Sequence, residues 1–149
     1  MIGRRHKEVF TLAERKSLFT VLGRSDRKTA PEVRREIREL LEPFRDLVYV
    51  LTLDNGKEFT EHQELAREHE TEVYFAHPRS SWERGLNENT NGLVRQHFPK
   101  SVNFTSARKD DINRVMNRLN RRPRKKLGFK TPYEVFYHTS AMLTPQVAL

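Results

Sequence analysis

Residues 47–53 read Leu-Val-Tyr-Val-Leu-Thr-Leu, and residues 54–56 read Asp-Asn-Gly. A nearly unbroken apolar run of this length predicts a strand buried on both faces inside an α/β sheet. Asp-Asn-Gly is a strong turn signal that ends it. Asp54 therefore falls at the carboxyl end of a central strand, the edge where open α/β sheets take ligands. A carboxylate there faces solvent and is available for chemistry, although a lone Asp before Asn-Gly is more often just a turn residue.

Working outward, Glu8–Leu12 and Leu18–Leu22 are short segments rich in Val, Phe and Thr, separated by the charged Glu14-Arg15-Lys16-Ser17. They predict a β-hairpin with a polar loop. Thr29 is placed to cap a helix with Pro31 in its first turn. Val33, Ile37, Leu40, Leu41 and Phe44 supply one apolar helical stripe, and Pro43 closes the segment. Beyond Gly56 the pattern predicts a helix over Glu61–Glu70, a strand over Glu72–Ala76, a polar loop over His77–Arg84 and a helix from Gly85 to Phe98. Ile112, Val115, Met116 and Leu119 form another stripe, and Thr131-Pro132 opens a short last helix over Tyr133–Tyr137. The order of elements indicates one mixed α/β domain over residues 1–149.

Composition narrows the function. Of 149 residues, 36% are hydrophobic and 32% charged, so a core is affordable but the surface is highly polar. The net charge of +8 and a pI near 10.0 suit a polyanionic partner, because Lys and Arg that neutralise phosphates release counterions, and equally an ordinary soluble protein with a basic surface; composition alone leaves the two level. There is no cysteine, which excludes disulfides and thiolate metal sites. No apolar run approaches the ~20 residues of a membrane span, and no signal-type stretch follows the basic N-terminus. A soluble, cytoplasmic, nucleoid-associated protein without membrane partners is the expectation.

Glu88 lies in the first turn of a later helix, where with Asp54 it can converge on hard divalent cations, which prefer oxygen ligands, although a Glu there often only complements the helix dipole. The surrounding words carry more. Thr52-Leu53-Asp54-Asn55-Gly56-Lys57-Glu58-Phe59 resembles the second-carboxylate motif of retroviral integrases and related transposases. Ser80-Ser81-Trp82-Glu83-Arg84-Gly85-Leu86-Asn87-Glu88 and the Asn-Thr-Asn-Gly-Leu that follows resemble their third-carboxylate helix. The wording is similar to one bacterial insertion-sequence branch, IS-thirty (IS30). So are Leu12-Ala13-Glu14-Arg15-Lys16-Ser17 in the hairpin and the tail from Leu119 through Arg122-Pro123-Arg124-Lys125-Lys126-Leu127-Gly128 to Pro132.

The resemblance implies an RNase H-like mixed sheet flanked by helices and a DDE-type transposase that cleaves DNA and joins the freed 3′-hydroxyl to a target. It implies two Mg²⁺ ions, or Mn²⁺ in their place, about 3.5–4 Å apart. Asp54 and Glu88 are then catalytic metal ligands, the second and third members of a carboxylate trio. The first member belongs to a central first strand in wording like Gly-Asp-Thr. Ile2-Gly3 matches only the end of that wording, so the expectation is a chain shortened at its N-terminus, lacking that strand and a helix-turn-helix region. Asp26 and Asp46 are not credible substitutes. The rival expectation is an inactive remnant that only binds DNA or a full-length transposase; homo-oligomers are implied by analogy.

Residues 108–130 hold ten Lys or Arg against two Asp, an excess equal to the net charge of the whole chain. Arg114, Arg118 and Arg121 recur at helical spacing, and Arg122, Arg124, Lys125 and Lys126 follow. These seven are the candidate DNA contacts, with element ends and target as partners; a solvated helix face is the plainer alternative. Trp82 suits packing or base stacking. His62, His69 and His77 lack zinc spacing, and Phe98, Phe104 and Phe129 are expected in the core.

Overall fold

A computed structural model describes residues 8–27, 29–53, 61–69, 71–75, 81–98 and 107–143. Its first element is a hairpin of strands β1 (Glu8–Ala13) and β2 (Thr20–Ser25), paired antiparallel from Glu8 opposite Ser25 to Ala13 opposite Thr20. Both strands reach further than their apolar residues suggest. The loop explains the shift of β2. Leu18 adopts φ +60°, a left-handed conformation that extended backbone excludes, so pairing resumes only at Thr20. Glu14 organises this loop. Its carboxylate accepts from the Lys16 amide at 2.9 Å and from the Ser17 amide and hydroxyl at 2.6 Å each, while its own amide donates to the Phe19 carbonyl at 2.8 Å.

Helix α1 (Ala30–Leu41) follows the predicted stripe, with Val33, Ile37 and Leu41 buried. Thr29 occupies the cap position through its backbone: its carbonyl accepts the Val33 amide at 2.9 Å, and its side chain makes no cap bond. Pro43 does not end the segment. It sits in a 3-10 turn over Glu42–Leu47 that carries Phe44 and Leu47, a use of Pro that needs no amide hydrogen at the first positions. Strand β3 is consequently only Val50–Leu53. It is not buried on both faces as its composition predicts. Leu51 and Leu53 point inward, whereas Tyr49 and Val50 are 64% and 54% exposed.

Helix α2 (His62–His69) leads to β4 (Glu72–Phe75), which pairs parallel with β3, Val50 opposite Glu72 through Leu53 opposite Phe75. Helix α3 runs over Ser81–His97, starting four residues before its expected beginning, so Ser81–Arg84 are helical and not loop. Helix α4 spans Lys109–Asn120 and α5 spans Pro132–Leu143, the latter longer than Tyr133–Tyr137. Thr131 and Glu134 close the start of α5 reciprocally, Glu134 accepting from the Thr131 amide at 2.7 Å and donating its own amide to the Thr131 hydroxyl at 3.2 Å.

Among the described residues the strands form two separate pairs, β1–β2 and β3–β4, with no ladder joining them. Each pair has its own core. Val9, Leu22, Val94, Phe98, Ala107, Ile112, Val115 and Leu119 bury the hairpin against α3 and α4. Val33, Ile37, Leu41, Leu51, Leu53 and Leu65 bury the parallel pair against α1 and α2. Helix α1 connects the halves, because it also lies on β2. A Cβ placed on Gly23 would come within 2.2 Å of Leu40 Cδ1, so the glycine permits that close approach.

Candidate active site and basic surface

The two candidate ligands come from different halves of the fold. Asp54 follows Leu53, the last residue of β3, directly in sequence; it and the Asn-Gly turn lie outside the described residues. Glu88 lies in the middle of α3, on the exposed side of the helix. At 100° per residue, Thr90 and Val94, both buried, define the opposite, packed side. The early start of α3 moves Glu88 out of the first turn and into the helix body, where the backbone is held on both sides and the carboxylate is carried on a rigid support. Helix α3 packs on β1, so Glu88 belongs to the hairpin half and the carboxyl end of β3 to the parallel half.

Their donor chemistry suits a hard cation. Mg²⁺ is commonly held by one or two carboxylates, with water and substrate phosphates completing its shell. Among the described residues, no group of three His, Asp or Glu side chains gathers at one place. Among the three histidines set aside, His77 lies outside the described residues, and so does Phe104.

The basic surface is better defined. Arg114, Arg118, Arg121, Arg122, Lys125 and Lys126 are all exposed, the first two on α4 and the others on the turn that follows. Arg114 stands 3.6 Å from Asp111, a loose surface pair. Arg124 differs from the rest. It is half-buried, its guanidinium donates to the Leu119 carbonyl at 3.4 Å, and its burial, with the charge of Arg122, pulls its pKa down. Its backbone is equally committed, donating to Lys130 at 2.9 Å and accepting from Leu127 at 2.9 Å and Phe129 at 3.0 Å. Arg124 thus anchors the turn and covers the end of α4.

The patch adjoins α3. Partial burial, followed by the charges of Arg118 and Arg122, holds the His97 imidazole below its ordinary value. His97 is near the end of the helix that carries Glu88, nine residues or about 13 Å along its axis. Cationic side chains therefore lie within one helix length of the exposed carboxylate.

Two features escaped the sequence. Asn120 is buried, and its amide works as a strand partner on the outer edge of β2. Its Oδ1 accepts the Thr20 amide at 2.8 Å and its Nδ2 donates to the Thr20 carbonyl at 2.7 Å. Its place in the tail motif marked it, but not which backbone it meets 100 residues away. Phe129 is not core: it is 73% exposed, at φ +64° after Gly128 at φ +61°. The backbone turns it outward, and no hydropathy rule anticipates that. Phe98 is buried as expected.

The relatives of the chain agree with its motifs. It is 41% identical over 137 residues to the transposase for insertion sequence element IS4351 of Bacteroides fragilis, covering 91% of this chain and 42% of that protein. It is 39% identical over 134 residues to transposase InsI for insertion sequence element IS30A of Escherichia coli strain K12, covering 89% and 35%. The chain thus spans about four-tenths or less of the length of these relatives. No family model matches. In structure, it resembles the catalytic core domain of BIV integrase, with a TM-score of 0.74 over 95% of this chain and 92% of that one. At 18% identity that likeness concerns the fold alone, and the fold is the RNase H-like one expected.

Proposed function

We propose that this chain, whose relatives are IS30-type and other insertion-sequence transposases and whose fold is that of an integrase catalytic core, serves DNA transposition. It supplies Asp54 and Glu88 to a site for phosphoryl transfer. The observation that carries the reading is the placement of Glu88 on the exposed side of a helix packed on the hairpin, in a chain whose second candidate carboxylate directly follows the neighbouring parallel strand. Two acidic groups from separate halves of a fold can meet over one phosphate without either having to be buried.

In this reading Asp54 and Glu88 hold divalent metal, Mg²⁺ or Mn²⁺. A cation bound there supplies charge neutralisation at the scissile phosphate and activation of the attacking oxygen. The chain's own contribution is positional. Helix α3 keeps Glu88 at a fixed height above the hairpin, and Asp54 follows the last residue of β3. Arg118, Arg121, Arg122, Lys125 and Lys126 bind backbone phosphates and set the register of the duplex, with no sequence information in the contacts themselves. Arg114 joins them from the middle of α4. Arg124 positions the others by closing their turn. The partner is DNA, and a second protomer completes the assembly.

Two measurements test this. Mn²⁺ titration of the chain followed by water-proton relaxation should show binding that weakens at least tenfold in both Asp54→Asn and Glu88→Gln. Equal affinity in Glu88→Gln removes that residue from the site. Arg122→Ala combined with Lys125→Ala and Lys126→Ala should lower duplex affinity and flatten the slope of log K against log salt by about 2–3. An unchanged slope counts against phosphate contact by this turn.

A further inference from the structure

The basic turn carries an aromatic group that phosphate binding does not need. Arg124 and Lys130 close the loop through the 2.9 Å bond from the Arg124 amide to the Lys130 carbonyl, and the tip presents Lys125, Lys126, Gly128 and Phe129. Phe129 holds φ +64°, a conformation uncommon outside glycine and costly for a bulky side chain. The result is a phenyl ring 73% exposed to water on the outside of the turn. Neither the strain nor the exposure stabilises the fold.

The neighbouring helix continues the theme. Phe136 faces inward, stacked on Phe19 at 4.3 Å and edge-on to Phe44 at 5.6 Å, and so docks α5 on the hairpin loop. Tyr133 and Tyr137 lie 4.5 Å apart and remain 46% and 44% exposed, with the Arg121 guanidinium 5.9 Å from the Tyr133 ring. From Arg121 to Tyr133 the sequence has six Lys or Arg and no carboxylate. The first acid after it, Glu134, is occupied by the Thr131 amide and hydroxyl. A cationic track interleaved with exposed rings is the combination that binds single-stranded nucleic acid, phosphates on the cations and bases on the rings. A second copy of this chain is a poor occupant, because a two-fold contact would set six cations against six.

We infer that Phe129, four residues before the exposed Tyr133 in the chain, is a stacking platform for an unpaired base of the DNA on which this chain acts. The inference rests on the DNA reading above and adds a preference for frayed or single-stranded ends over continuous duplex. The platform selects by the π-face of a base, so it favours unpaired nucleotides of any sequence.

Fluorescence anisotropy with two labelled DNAs, a blunt duplex and the same duplex with a short single-stranded tail, tests it. Phe129→Ala should lower affinity for the tailed duplex on the order of tenfold and leave the blunt duplex unaffected, and Phe129→Trp should restore tail binding. Phe129→Gly removes the ring while favouring the left-handed backbone, so it keeps the test valid should Phe129→Ala unfold. Loss of the Arg122, Lys125 and Lys126 charges should weaken both DNAs alike. If the phenyl variants bind the tailed duplex normally while the charge variant weakens both, the platform is wrong and the DNA reading stands. If none of the variants alters binding, the DNA reading fails and the platform with it. If Phe129→Ala instead converts an oligomer to a monomer in sedimentation, the ring lies between copies and the inference is overturned.

Discussion

The hairpin half and the parallel half of this molecule are held together by different kinds of interaction. In the hairpin half, polar groups reach across long stretches of chain and are buried or partly buried. Asn120 satisfies both backbone groups of Thr20 on the outer edge of β2, and Arg24 donates to the Ala107 carbonyl at 2.6 Å just ahead of α4. In the parallel half, the apolar contacts of α1 and α2 do most of the binding; the buried Thr71 donates its hydroxyl to the Val48 carbonyl at 2.8 Å, and the ion pairs lie nearer the surface, Arg34 with Glu61 at 3.1 Å and Arg38 with Glu68 at 3.9 Å. The buried links define a unique geometry because leaving one half-made is costly; the surface pairs can exchange with water at little cost. Since Glu88 rides on the first half and Asp54 follows the second, the carboxylate separation depends on how α1 joins them.

Substitutions in the two halves should therefore differ in scale. The largest effect is expected from Asn120→Leu, which leaves the Thr20 amide and carbonyl without partners in a buried place. Urea unfolding should show a loss of about 2–4 kcal/mol; a loss below that of Arg34→Ala would erase the distinction drawn between the halves. Glu14→Gln comes next, at about 1 kcal/mol after allowance for its exposure. Burial by itself would raise the Glu14 carboxyl, but bonds from Lys16 and Ser17 and the charge of Lys16 outweigh it and hold it below its ordinary value of 4.5. A depressed carboxylate contributes stability that is present above pH 4.5 and lost as pH falls through the folded value. The gap between wild type and Glu14→Gln should then close on acidification, and a gap independent of pH would contradict the assignment. Arg34→Ala in the parallel half should cost less than about 0.5 kcal/mol, and high salt should remove the difference.

Much of the fold can be read from residue pattern. The stripe from Val33 to Leu41, the stripe from Ile112 to Leu119 and the hairpin around Glu14 all rest on periodicity or turn chemistry that acts over a few residues. The misreadings have a shared origin. Leu47–Leu53 looks doubly buried because its residues are apolar, yet which of them pack depends on what covers each face of a two-stranded sheet. Ser81–Arg84 carries no apolar rhythm, so its helical state is invisible until the rest of α3 extends it. Phe129 has the side chain of a core residue but sits at a left-handed position of an exposed turn.

At the candidate site the division is similar. Sequence wording alone singled out Asp54, Glu88 and the basic run after Arg114, because such motifs are local strings whose chemistry is carried by residue type. Only the tertiary structure put Glu88 on the exposed side of α3, turned Arg124 inward as an anchor among outward-facing cations, and presented Phe129 to solvent. The physical reason is that charge and donor type are properties of single side chains. Exposure and direction are set by packing partners that lie far away in the chain, as the 100 residues between Thr20 and Asn120 show.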